Sequence, residues 1–207
     1  AFIYSVPKSA PDTIYVGLND RDAAWHDLYK VSIATGKREL MRKNTEKVAG
    51  WVFDLSGALR LAMRTTDTGD TEILRVDAEG FTKVYSCTVF ETCGPTRFHK
   101  DGKRVYLETN KGDKDLTELI LFDPLTGREE PVHQDPLKRV DFGQAVFSEA
   151  TDELVATSYL DDRSRVYFRD KGFEADYKLL QTKLPGKEIA LGSSTADDNL
   201  WFITALS

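Results

Sequence analysis

The groups in this 207-residue sequence able to carry acid–base, nucleophilic or metal chemistry are three histidines, two cysteines and 34 carboxylates. The densest cluster is Trp25-His26-Asp27. A histidine oriented by a carboxylate is the arrangement of a general base. Adjacent residues of a strand project to opposite faces, so His26 and Asp27 are not expected to meet, and the segment reads as a Trp wedge with polar neighbours. Nucleophilic catalysis would also need a serine on a strained elbow, and no Gly-x-Ser-x-Gly occurs. His99 and His133 fall at expected strand ends, with no carboxylate that spacing assigns to them. Glu129-Glu130 and Asp161-Asp162 are adjacent in sequence, whereas a glycosidase pair must converge on one sugar from different elements.

Metal and phosphate readings fare no better. Asp20 and Asp22, or Asp113, Asp115 and Glu118, offer oxygen atoms suited to calcium, but none follows the twelve-residue loop with its sixth-position glycine and terminal glutamate. Turn chemistry selects the same residue types for backbone reasons. Gly192-Ser193-Ser194 lacks the Lys-Ser/Thr and the helix start of a phosphate cradle. Cys87 and Cys93 are close enough in sequence for a local disulfide if a turn brings their Cα atoms within about 7 Å. A lone pair is a weak framework, so two small apolar residues are the expectation. Zinc would need a second pair at ligand spacing. No residue is therefore assigned a catalytic, cofactor-binding or metal-binding role.

The elements that hold these residues follow from an internal repeat. Leu28–Ser32, Ile73–Asp77, Leu119–Asp123 and Val166–Asp170 are equivalent segments, 45, 46 and 47 residues apart. Each precedes a glycine turn, at Gly36, Gly80, Gly127 and Gly172. A second turn recurs upstream at Asp54–Gly57, Lys100–Gly102, Glu149–Asp152 and Ala196–Asn199. A period of this length with several turns per copy marks the blade of a β-propeller, whose four-stranded sheet cannot bury its faces alone. The fold class expected is all-β: a propeller of four-stranded antiparallel blades at about 1–43, 48–86, 94–134 and 140–182, with a half-blade at 188–207, as one domain.

Leu59, Leu61 and Met63 alternate with Arg60 and Arg64 as in a half-buried strand, and Leu119–Phe122 is continuously apolar as in a strand buried on both faces. The stretch Asp115–Phe122 would pass for an amphipathic helix in isolation, but its place in the repeat makes it a strand. Little helix is expected anywhere. Trp51, Phe53, Phe98, Tyr106, Phe147 and Trp201 are expected to pack between blades. In such a meander the second-to-third-strand turns share a face with the links between blades. Asn19–Asp22, Asp67–Asp70, Lys111–Asp115 and Asp161–Arg163 then form one acidic, irregular face, where binding residues usually sit.

A net charge of −6, spread along the chain, excludes the clustered basic face of a nucleic-acid binder. No apolar run approaches the roughly 20 residues needed to span a bilayer, and Ala1–Val6 has no features of a signal peptide. A chain that starts at a first strand and stops after a second is expected to form an open partial ring, with edges prone to self-association.

Asn19-Asp20-Arg21-Asp22 through Trp25-His26-Asp27-Leu28-Tyr29, then Ala34-Thr35-Gly36, resembles the propeller domain of bacterial prolyl oligopeptidase-family (S9) serine peptidases, in the branch that includes acylaminoacyl peptidases. Ala49-Gly50-Trp51 and Thr71-Glu72-Ile73-Leu74 continue the resemblance into the second blade. The resemblance implies a parent enzyme with a C-terminal α/β-hydrolase domain carrying Ser, Asp and His, which the propeller caps so that only small peptides enter. The relatives are bacterial, and the compartment, cytoplasm or periplasm, is left open by the sequence. The elbow is missing here, so no catalytic residue carries over. The expected function is a non-catalytic propeller segment that limits peptide access and docks the hydrolase domain. The alternative is an independent interaction module, like TolB-type propellers that bind other proteins.

Overall fold

The computed structural model describes residues 1–206. Among these residues seventeen strands and one helix follow one another. The first sheet, in the order β1-β2-β3-β4, is Phe2–Ser5, Thr13–Leu18, Asp27–Ser32 and Arg38–Arg42. The second, β5 to β8, is Val48–Phe53, Leu59–Thr65, Thr71–Val76 and Phe81–Cys87. The third, β9 to β12, is Cys93–Phe98, Val105–Thr109, Glu118–Phe122 and Glu129–His133. A three-stranded sheet follows, β13 (Gln144–Phe147), β14 (Leu154–Leu160) and β15 (Ser164–Phe168). Helix α1 (Lys171–Lys183) comes next, then the pair β16 (Glu188–Ser194) and β17 (Trp201–Leu206). Every neighbouring pair whose register is defined runs antiparallel, as propeller blades require.

Turn chemistry repeats with the blades. Between first and second strands, Gly57, Gly102, Asp152 and Asp198 all take the left-handed conformation, with φ of 85°, 67°, 57° and 57°. Glycine adopts it freely, and aspartate is among the few other residues that tolerate it. Between third and fourth strands Gly36, Gly80 and Gly127 do the same.

The chain divides into two compact units, Ala1–Asp115 with Leu119–Val132, and Leu116–Glu118 with His133–Ser207. The first holds three blades, and burial on both faces of their inner strands explains how they pack. On β6 and β7 the neighbours Leu61 and Ala62, and Ile73 and Leu74, are all fully buried although they point to opposite faces. Ala62 and Leu74 pack with Leu28, Val48 and Trp51, and Tyr15 stacks on Phe53 at 4.3 Å. Leu61 and Ile73 pack with Phe98, Val105, Leu107, Ile120 and Phe122. The alternation in β6 therefore marks a half-buried strand only at its charged ends, Arg60 and Arg64.

Two expectations need correction. Cys87 and Cys93 are joined by a disulfide, with Cα atoms 6.0 Å apart and both side chains buried, between the end of β8 and the start of β9. The link from Thr88 to Thr92 folds back on itself: Glu91 N–H donates to Thr88 O at 3.0 Å, and the Glu91 carboxylate accepts from Thr88 N–H at 2.9 Å. That local closure brings the sulfurs together.

The second correction is α1, which stands where the fourth strand of the 140–182 blade was expected. Asp170 caps its N-terminus by accepting from Phe173 N–H at 2.8 Å, so Gly172 lies inside the helix rather than in a turn. Phe173 and Tyr177, four residues apart, share one helical face. Both pack on Phe168, Phe173 also meets Trp201 at 5.4 Å, and Tyr177 Oη donates to Ile189 O.

Candidate functional site

The second-to-third-strand loops carry the acidic residues and the most distinctive local sequence. In the first blade, Arg21 reaches out of the 19–25 loop and forms a two-pronged ion pair with Asp27, Nε to Oδ2 and Nη2 to Oδ1 both at 2.7 Å. The Asp27 carboxylate is almost wholly buried and also accepts from Asn44 N–H at 2.7 Å. Asn44 in turn brackets Val48, accepting from its N–H at 2.8 Å and donating to its carbonyl at 2.7 Å. One carboxylate thus ties the loop, β3 and the link into β5 together. The hydrogen bonds from Arg21 hold its pKa below the usual carboxylate range.

His26 projects away from Asp27, and its ring meets Phe2 edge-on at 4.8 Å. The two groups do not form a base and its orienter. Trp25 is half-buried. Asp20 pairs with Arg38, and the Asp22 carboxylate accepts from Ala24 N–H at 2.9 Å. In the second blade Asp67 pairs with Lys47, and Asp70 accepts from Val89 N–H at 3.1 Å.

The second unit has a comparable network. Asp135 is fully buried and receives both Nη atoms of Arg165, at 2.6 and 2.9 Å. It also accepts from the N–H groups of Leu137, Arg139 and Val140. Arg165 above all, then these amides, keep its pKa well below the usual carboxylate range. Arg165 Nη1 lies 2.9 Å from Tyr167 Oη, and Arg165 and Arg139 both contact Asp161. His133, at the end of β12, places Nδ1 2.8 Å from Thr157 Oγ1 and 2.7 Å from Tyr159 Oη. Burial first, then Arg169, lowers its pKa. His99 has a partner that spacing did not assign, Asp101 at 3.0 Å. Glu130 is taken up by Arg104 and Arg128, and Ser194 Oγ donates to Asp198. Among the described residues no three His, Cys, Asp or Glu side chains are placed to hold a metal ion.

Over 98% of its length the chain is 34% identical to dipeptidyl aminopeptidase BIII of Pseudoxanthomonas mexicana, an S9 peptidase. The chain is thus similar to part of an S9 peptidase. It spans 29% of that relative's length, so it corresponds to a propeller-like segment. No protein-family profile matches the sequence. In fold it resembles the crystal structure of TolB from Acinetobacter baumannii, with a TM-score of 0.52 at 16% identity over 78% of this chain and 39% of that one. The stretch from Asn19 to Tyr29 is the segment that Asp27 anchors. Sequence reasoning missed this anchor and that of Asp135 because their arginine partners lie 6 and 30 residues away. The visible signal was an aspartate opening a strand or preceding a proline.

Proposed function

We propose that the chain is a non-catalytic propeller segment of an S9-type serine peptidase, forming part of one propeller domain that limits substrate access and docks an α/β-hydrolase domain. The carrying observation is the match of nearly the whole chain to 29% of a dipeptidyl aminopeptidase. His26 packs on Phe2, His99 faces Asp101, and His133 faces Thr157 and Tyr159. Peptides are then substrates of the parent enzyme, and its hydrolase domain is the partner. An independent interaction module has no observation of its own here, since the likeness to TolB is one of fold.

The test is incubation of the 207-residue chain with chromogenic dipeptidyl and acylaminoacyl substrates. No turnover is expected. Hydrolysis that a serine-reactive phosphonate abolishes would overturn the proposal.

A further inference from the structure

In the second unit the sheet β13-β14-β15 stops at three strands, and helix α1 takes the fourth strand's place in the chain but not on the sheet. The helix meets β15 at its end, where Phe173 and Tyr177 pack on Phe168. Arg165 opposite Tyr159 and Tyr167 opposite Thr157 continue the ladder in which Arg169 N–H donates to Val155 O at 2.8 Å. In an antiparallel ladder these alternate residues turn their backbone groups toward β14, so Ser164 and Val166 turn theirs outward. Among the described residues no strand pairs with that edge.

Charge does not blunt this edge, because Arg165, the one charged residue of β15, is held by the buried Asp135 at 2.6 and 2.9 Å. Beside it, β13 to β15 and the pair β16-β17 enclose a cavity of about 170 Å³, walled by Val146, Leu160, Val166, Ile189 and Leu206. Leu160 and Leu206 are 71% and 53% exposed, so the apolar wall continues to the surface. No residue of α1 lines the cavity. Among the described residues Glu188 is the one charged side chain that does, and it forms no ion pair, so its charge is not cancelled there. Outward backbone groups, an apolar recess and a single unpaired carboxylate select an extended peptide with aliphatic and basic side chains at alternate positions.

We propose that β15 accepts an extended, basic segment of a separate polypeptide as the fourth strand of this blade. The segment runs antiparallel to β15, as β4 and β8 do on β3 and β7. One of its residues exchanges N–H and C=O with Val166 and places an aliphatic side chain in the cavity. Two residues further on, opposite Ser164 and on the same face, a Lys or Arg side chain reaches Glu188. The assignment rests on the second unit alone and does not depend on the peptidase relationship.

Titration calorimetry of the 207-residue chain tests it with three probes: acetyl-Val-Thr-Val-Thr-Lys-amide, the same peptide N-methylated at its central Val, and the same peptide ending in Glu. Saturable binding of the first is expected. N-methylation should weaken it at least about tenfold, because it removes the N–H that donates to Val166 O. The Glu peptide should bind several-fold more weakly than the Lys peptide, and Glu188→Gln should remove that difference. Hydrogen exchange followed by NMR should slow at the Ser164 and Val166 amides in the complex, which distinguishes β15 from the edge at β17. Absence of saturable binding, equal affinity of the N-methylated peptide, an unchanged Lys-over-Glu preference in Glu188→Gln, or protection at β17 instead of β15 would overturn the proposal.

Discussion

Asp27 and Asp135 show how single buried carboxylates fix loops that carry little regular structure. Each takes both prongs of an arginine and closes nearby backbone N–H groups. Replacing Asp27 with Ala should destabilise the chain by roughly 1–3 kcal/mol, because Asn44 N–H would be left buried without an acceptor and Arg21 without its partner. Chemical denaturation measures this, and a loss below about 0.5 kcal/mol would contradict the anchor role. The pH dependence has a definite sign. Asp27 and Asp135 have folded pKa values below their unfolded ones, so the unfolded chain takes up protons first as pH falls. The stability they contribute is fully present above about pH 4 and is lost as pH drops through the folded values. His133, also lowered, adds a loss that begins below about pH 6.5. The denaturation midpoint should therefore fall on the acid side, less steeply at the lowest pH in Asp135→Asn. A midpoint that rises on acidification would contradict this assignment.

At the scale of the element, most of the blade pattern was legible in the sequence because its punctuation is chemical. The turn positions at Gly57, Gly102, Asp152 and Asp198 share one backbone conformation that few residue types tolerate. Helix α1 was missed for the opposite reason. Asp170 as a cap, with Phe173 and Tyr177 four apart, is a helix signal, but the template of the repeat demanded a strand and a turn at Gly172. The candidate site was less legible than the fold. The pairs Arg21 with Asp27 and Arg165 with Asp135 depend on where loops return, which no spacing rule supplies. The disulfide belongs to the same class, since the fold of Thr88–Thr92 decides it. Closing the seven-residue loop from Cys87 to Cys93 should stabilise by about 2 kcal/mol on loop-closure entropy. Dithiothreitol should lower the denaturation midpoint of the wild-type chain accordingly and leave a double Cys→Ser variant unaffected. Equal midpoints for wild type with and without reductant would show that the bond contributes nothing.

At the scale of the whole molecule, the outer strands differ in how they meet solvent. The edges at β4, β8 and β12 carry Arg38, Glu39 and Arg42, then Lys83, then Glu129, Glu130 and Pro131. Charges and proline at an edge discourage pairing with another chain. Among the described residues β17 pairs with β16 alone, has no charged residue, and exposes Phe202 and Leu206. Two copies pairing through β17 would make a four-stranded antiparallel sheet like the other blades, and an antiparallel self-pairing suits a two-fold axis. Light scattering should therefore find concentration-dependent dimers of the 207-residue chain, converted to monomer by Phe202→Lys; a wild-type monomer at all concentrations would count against β17 pairing. The central claim is that this chain is the propeller segment of a serine peptidase, and sequencing the reading frame downstream of Ser207 tests it most directly. The account predicts a Gly-x-Ser-x-Gly elbow followed by Asp and His on an α/β-hydrolase pattern. A stop codon soon after Ser207 would contradict it.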